Sequence, residues 1–176
     1  MRVSLIITTY NRPDALLLVL QSIEGQTRLP DEVIVADDGS NKYTQKVVTD
    51  FQISSKLKII HSWQKDKGFR AAKSRNKAIA KSNYEYIVLV DGDIILHPKF
   101  IQDHIDNAEV GYFVQGTRVL LTQHKTLKTL KETKSHFSFL TKDISNRKNS
   151  IHSNFLSKLF SRKKNYLQGI KTCNMA

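Results

Sequence analysis

Four short apolar runs set most of what this chain can become. RVSLIITTY, the VIVA of DEVIVADDGS, LKIIHSW and EYIVLV are rich in β-branched and aliphatic residues, the character of strands covered by other elements rather than lying on a wet surface. Stretches of helical character separate them. The first, DALLLVLQSIEGQ, is apolar on more than one face, as a helix packed on a sheet must be. Pro13 pre-sets its opening φ, Asp14 complements the dipole of its first turn, and Gly25 marks its end. KYTQKVVTDFQ and the small-residue stretch RAAKSRNKAIAKS supply two more. Four strands interleaved with three helices predict an α/β fold with a mostly parallel sheet flanked by helices. Beyond it, KFIQDHIDNA reads as a helix and YFVQGTRVLLT as one further strand.

In open sheets of this kind ligands bind beyond the carboxyl ends of the strands. Those ends carry Thr8, Thr9 and Tyr10, then Asp37 and Asp38, then Asp91 and Asp93. The last pair is unusual, because YIVLV runs an apolar strand straight into two carboxylates separated by Gly92. Two aspartates one residue apart can bring their oxygens to one point, which suits Mn²⁺ or Mg²⁺; such ions take one or two carboxylates and complete their shell with water and phosphates. Gly92 is expected to leave room for those phosphates. Asp-Gly alone is also a turn signal, so what favours a cation is the buried strand before the pair and the polar residues at the same sheet edge.

Taken together and in order, VSLIITTYNRPDAL, EVIVADDGS, KGFRAAKSRNKAI and YIVLVDGDIILHPKFI resemble the nucleotide-sugar-binding part of a family 2 glycosyltransferase with the GT-A (Rossmann-like) fold. The match is close over residues 2 to 102, and CNMA at 173–176 resembles the start of the acceptor-binding part. The resemblance implies that Thr8 and Tyr10 line the base pocket, that Asp38 bonds the base with Asp37 beside it, and that Arg75 approaches the diphosphate or ribose. It implies that Asp91 and Asp93 form a D-x-D motif, Asp93 as the direct metal ligand and Asp91 as partner of the ribose or of metal-bound water. It also implies an inverting, metal-dependent transfer from a nucleotide-diphosphate sugar, UDP-linked, to a saccharide or lipid-linked saccharide acceptor in cell-surface polysaccharide or lipopolysaccharide synthesis. The general base of such enzymes belongs to a segment expected beyond Ala176, so no catalytic base is assigned, and the GT-A fold is expected to be truncated before its acceptor-binding part is complete. The expected organisation is a nucleotide-sugar-binding core over 1–122, a basic insertion over 123–165, and the start of the acceptor-binding part over 166–176.

Charge bears on partners. With 176 residues the chain is long enough for one sizeable core, and its net charge of +12 implies an anionic partner. Basic residues crowd the stretch from Lys125 to Lys164 against only Glu132 and Asp143. Lys125, Lys128, Leu127 and Leu130 fall at the spacing of an amphipathic helix, which suits peripheral association with an anionic membrane. No stretch approaches the length of an apolar membrane span, and VSLIITTY is too short and too early for a signal peptide. A cytoplasmic location, with access to the inner membrane face, is therefore expected. The single cysteine, Cys173, forms no internal disulfide, and the six histidines show no ligand spacing. There is no G-x-G-x-x-G and no Walker A sequence. Two rival readings remain open: a sugar-phosphate nucleotidyltransferase, which would want a glycine-rich loop where TTYNRPD stands, and a non-enzymatic basic module binding RNA or anionic membrane. The basic stretch has no recognisable nucleic-acid reading motif, and no nucleic acid is expected as partner.

Overall fold

The structure is a computed structural model that describes residues 1–132, 137–151, 162–164 and 170–172. The chain divides into two compact units, Met1–Ile95 and Leu96–Ala176. In the first, the elements run β1 (Val3–Thr9), α1 (Pro13–Glu24), β2 (Glu32–Asp37), α2 (Lys42–Ser54), β3 (Ile59–Trp63), α3 (Ala71–Ile79) and β4 (Tyr86–Asp91). All four strands are parallel, in the order β3-β2-β1-β4. The expected α/β architecture is present, with each predicted strand and helix in its place.

The register explains how one sheet holds a core and a polar edge together. Side chains alternate between faces along a strand, so Ile6, Ile34 and Ile60 share a rung on one face. Helix α3 covers that face, and its small Ala78 packs into a cluster with Ile6, Ile34 and Ala36. The opposite face carries Leu5, Ile7, Val33 and Val35, all fully buried. Helix α1 contributes Leu16, Val19, Leu20 and Ile23 to the buried core. Pro13 sits in the first turn of α1 with Asp14, and Gly25 caps its end at φ −80°.

At the amino end of the first face, Glu32 is completely buried. It accepts bonds from Ser4 Oγ at 2.8 Å, Lys58 Nζ at 3.0 Å, and the backbone and side-chain nitrogens of Asn83, both at 2.7 Å. Burial pushes its carboxyl up, but these donors outweigh it and hold the group at about 2. One carboxylate thus ties β1, the start of β3 and the segment before β4 to β2.

The second unit contains α4 (Phe100–Asn107), β5 (Phe113–Gln115), β6 (Leu120–Leu121), α5 (Gln123–Glu132), β7 (Ile144–Ser145), β8 (Arg162–Lys164) and β9 (Ile170–Thr172). The single strand expected over YFVQGTRVLLT is instead two strands in two sheets: β5 pairs with β9, and β6 pairs antiparallel with β7. Gly116 has no side chain to pack and interrupts the run. The Arg118 carbonyl then accepts from Asn149 Nδ2 at 2.8 Å instead of joining a strand ladder. The helix expected from Lys125, Leu127, Lys128 and Leu130 is α5, on which Thr129 is buried and Leu127 exposed. Residues 133–136 and 152–161 of the basic stretch lie outside the described residues. Among the described residues no helix is long and apolar enough to cross a membrane.

Candidate functional site

A cavity of about 310 Å³ opens at the carboxyl end of the first unit's sheet. Its floor is one rung of that sheet: Thr8 of β1, Ala36 of β2 and Asp91 of β4 are register partners pointing to the same face. Thr9, Tyr10, Arg12, Asp38, Phe69, Ala71, Arg75, Gly92 and Asp93 also line it. Of the residues predicted for the site, Thr8, Tyr10, Asp38, Arg75, Asp91 and Asp93 are therefore gathered around one space.

Asp91 and Asp93 differ. Thr8 Oγ1 donates to Asp91 Oδ1 at 3.1 Å, and Arg75 approaches the same oxygen at 3.9 Å. Asp93 is exposed and its carboxylate has no hydrogen bond or ion pair with the described residues. Gly92 between them is buried for a reason the sequence reading missed. Its amide donates to the Thr8 carbonyl at 2.7 Å, and a Cβ there would stand 2.6 Å from that oxygen. The absent side chain makes room for the backbone of β1, and so locks the acidic turn to the end of the first strand.

Asp38 is 4% exposed. Its Oδ1 accepts from Gln64 Nε2 and its Oδ2 from the Arg70 amide, both at 2.6 Å. These two donors fix the carboxylate's orientation and leave each oxygen a lone pair for a ligand. The Tyr10 hydroxyl donates to Asp66 Oδ2 at 2.9 Å, a bond that, with the charge of Asp66, raises the phenol above its ordinary value. Asp66 Oδ1 in turn accepts from the Gly68 amide at 3.0 Å. Gly39, at φ +102°, packs so closely on Asp66 that a Cβ would lie 2.6 Å from its backbone. The segment from Gln64 to Arg70 is thus pinned to the loops after β1 and β2.

Asp37 is placed elsewhere. The alternation of β2 turns it to the face opposite Ala36, and it does not line the cavity. Fully buried, it accepts from the Gly39 and Ser40 amides at 3.1 and 2.7 Å and meets His61 Nε2 at 2.9 Å. Burial raises its carboxyl, but His61 and Ser40 more than offset this and leave it below the ordinary carboxylate range. Its contacts hold the turn that presents Asp38.

Thr9, named at the strand end but given no role, lines the cavity, as do Arg12, Ala36, Phe69 and Ala71, which had not been singled out. Ala36 had a legible signal, a small residue between a buried strand and two acids. Phe69 had another, an aromatic in a lysine-rich turn. Thr9 Oγ1 is buried without a hydrogen-bond partner.

The donor set also bears on metal. Among the described residues no group of three or more His, Cys, Asp or Glu is placed to hold an ion. Two carboxylates on one cavity wall nonetheless fit Mn²⁺ or Mg²⁺, which fill the rest of their shell from water and substrate phosphates. Residues 173–176, which resemble the start of an acceptor-binding part, lie outside the described residues.

Comparison with known proteins bears on the family and the fold. The family model described as glycosyl transferase family 2 matches residues 4–168. Hyaluronan synthase of Pasteurella multocida is 36% identical over 103 residues, which make up 58% of this chain and 10% of that protein. Chondroitin synthase of Escherichia coli is 35% identical over 104 residues, 58% of this chain and 15% of that protein. Among solved structures, S. aureus TarS 1-349 in complex with UDP-GlcNAc matches with a TM-score of 0.54 at 26% identity, covering 66% of this chain and 35% of that one. This chain therefore spans a minor part of the length of each of these proteins. Its helix-flanked parallel sheet is that of the GT-A fold, and with the family match running through most of its length the chain belongs to glycosyl transferase family 2.

Proposed function

We propose that this chain carries the donor site of a glycosyltransferase that uses a UDP-linked sugar and a divalent cation to extend a cell-surface saccharide with inversion at the anomeric carbon. The observation that carries the reading is the convergence of Thr8, Tyr10, Asp38, Arg75, Asp91 and Asp93 on one cavity at the carboxyl ends of parallel strands. Inversion, the acceptor class and cytoplasmic action on a membrane-linked saccharide rest on family resemblance. The family match and the UDP-GlcNAc complex of TarS support the donor class.

The residues divide the work by chemistry. Asp38, oriented by Gln64 and Arg70, presents a fixed acceptor to an N–H of the base. Tyr10, held by Asp66, offers its ring beside it. Arg75 supplies a planar cation to the diphosphate at the other end of the cavity, next to Asp91. Asp93, with Asp91, would hold Mn²⁺ or Mg²⁺, which when bound neutralises charge developing on the departing diphosphate. The same six residues give neither rival reading a role for an oriented Asp38 opposite a carboxylate pair.

Calorimetric titration of UDP in Mn²⁺ and in excess chelator, on the wild type and on Asp93→Asn, tests the proposal. Binding that the metal strengthens, with that gain lost in Asp93→Asn, is expected. Equal binding with and without metal would overturn the metal assignment. Absence of UDP binding in every condition would overturn the donor site.

A further inference from the structure

Phe69 is 95% exposed, although it lines the cavity and sits in a segment fixed on both sides. On one side Gly68, at φ +80°, donates its amide to Asp66, which also holds Tyr10. On the other, the Arg70 amide donates to Asp38, and the Arg70 guanidinium reaches the Lys65 carbonyl across the turn. A phenyl ring on a loose tip would need no explanation. A ring held in water by its neighbours' hydrogen bonds, at the rim of a ligand-sized cavity, does need one, since exposure forgoes the burial that most favours an aromatic.

Resting on the donor reading above, we propose that Phe69 is a base-contacting residue that stacks on the nucleobase of the donor. Its position follows from the chain: the amide of the residue after it bonds Asp38, so the backbone that carries the ring is anchored at Asp38 on the lining of the same cavity. Asp38 reads the edge of a planar base, which leaves the faces of the base to apolar or aromatic side chains. Among the described residues Tyr10 and Phe69 are the aromatic ones in the lining, and they sit on segments joined through Asp66. Every base has a π-face, so this contact adds affinity without choosing among bases, while Asp38 chooses.

The test compares UDP with inorganic pyrophosphate, which lacks a base, by calorimetry in Mg²⁺ on the full chain. Wild type, Phe69→Ala and Phe69→Tyr are measured, and circular dichroism checks that each is folded. Phe69→Ala is expected to weaken UDP by about ten-fold or more, in keeping with loss of a base–aromatic stack. Phe69→Tyr should stay within about two-fold of wild type, because it keeps the ring, and pyrophosphate should bind all three alike. UDP affinity unchanged in Phe69→Ala would overturn the proposal and leave the donor site standing. Equal losses for UDP and pyrophosphate would also overturn it, since the ring would then be shaping the cavity. Wild-type protein that binds pyrophosphate but not UDP would sink the base site as a whole, an outcome distinct from failure at Phe69 alone.

Discussion

The amide of Gly92 donates to the carbonyl of Thr8 at 2.7 Å, and the place a Cβ would take on Gly92 is 2.6 Å from that same oxygen. The D-G-D turn is therefore built onto the end of β1, and the spacing of its two carboxylates depends on a side chain being absent. Gly92→Ala must move backbone, for which overpacking costs of about 1–3 kcal/mol apply. Urea denaturation should show that loss, and UDP affinity in Mn²⁺ should fall by about ten-fold as Asp91 and Asp93 shift. An unchanged midpoint together with unchanged affinity would mean that the two strand ends slide freely.

Asp91 and Asp93 should respond differently to amidation. Asp93 has no partner among the described residues, so Asp93→Asn should abolish the gain in UDP affinity that Mn²⁺ provides and leave binding in chelator unchanged. Asp91 also faces Thr8 and Arg75. Asp91→Asn should therefore weaken UDP in chelator as well, because Arg75 loses the charge that positions it. Identical behaviour of the two variants in chelator would contradict this division.

Glu32 gives a pH signature at the other end of the sheet. Its folded value of about 2 lies below the ordinary 4.5, so its stabilisation is complete above about 4.5 and is lost as pH falls through about 2. Glu32→Gln should cost about 1–3 kcal/mol at neutral pH, since it weakens bonds from Ser4, Lys58 and Asn83 to a buried charge. The gap between wild type and variant, followed by denaturant titration from pH 7 to 2, should close in acid. A gap independent of pH would show that Glu32 acts through shape and not charge.

His104 predicts acid sensitivity in the second unit. It is 6% exposed with its ring 4.6 Å from that of Phe100, and burial pushes it down to about 4 from an ordinary 6.5. The unfolded chain then binds a proton the folded one refuses, so stability declines as pH falls from about 6.5 toward 4, by about 3 kcal/mol over the full shift. Nuclear magnetic resonance titration of the His104 ring should find it neutral at pH 5.5. A ring already protonated there would remove the effect.

Much of this was legible in one dimension. Strands β1 and β2 are apolar because the middle of a helix-covered parallel sheet has no wet face, and composition reports that directly; the run YIVLV looks the same in composition, yet it forms the edge strand β4, where Leu89 is exposed. The acidic turns after β2 and β4 were visible as charges placed where an apolar run stops. The division of YFVQGTRVLLT into two strands was less visible, because a run broken at Gly116 looks the same whether its halves share a sheet or separate.

What the sequence by itself determined was the element order and the polar residues at the carboxyl ends of the strands, since both follow from local periodicity. What only the tertiary structure decided was the use of each residue. Asp37 and Asp38 are adjacent in the chain, yet alternation along β2 sends one to brace a turn beneath His61 and the other into the cavity. Gly92 is small for the sake of Thr8, and Phe69 stands in water because Asp38 and Asp66 hold the backbone on either side of it. These pairings join residues more than twenty positions apart, apart from the two neighbours within the Phe69 turn, and local periodicity holds no record of which distant groups the register of a sheet will bring face to face.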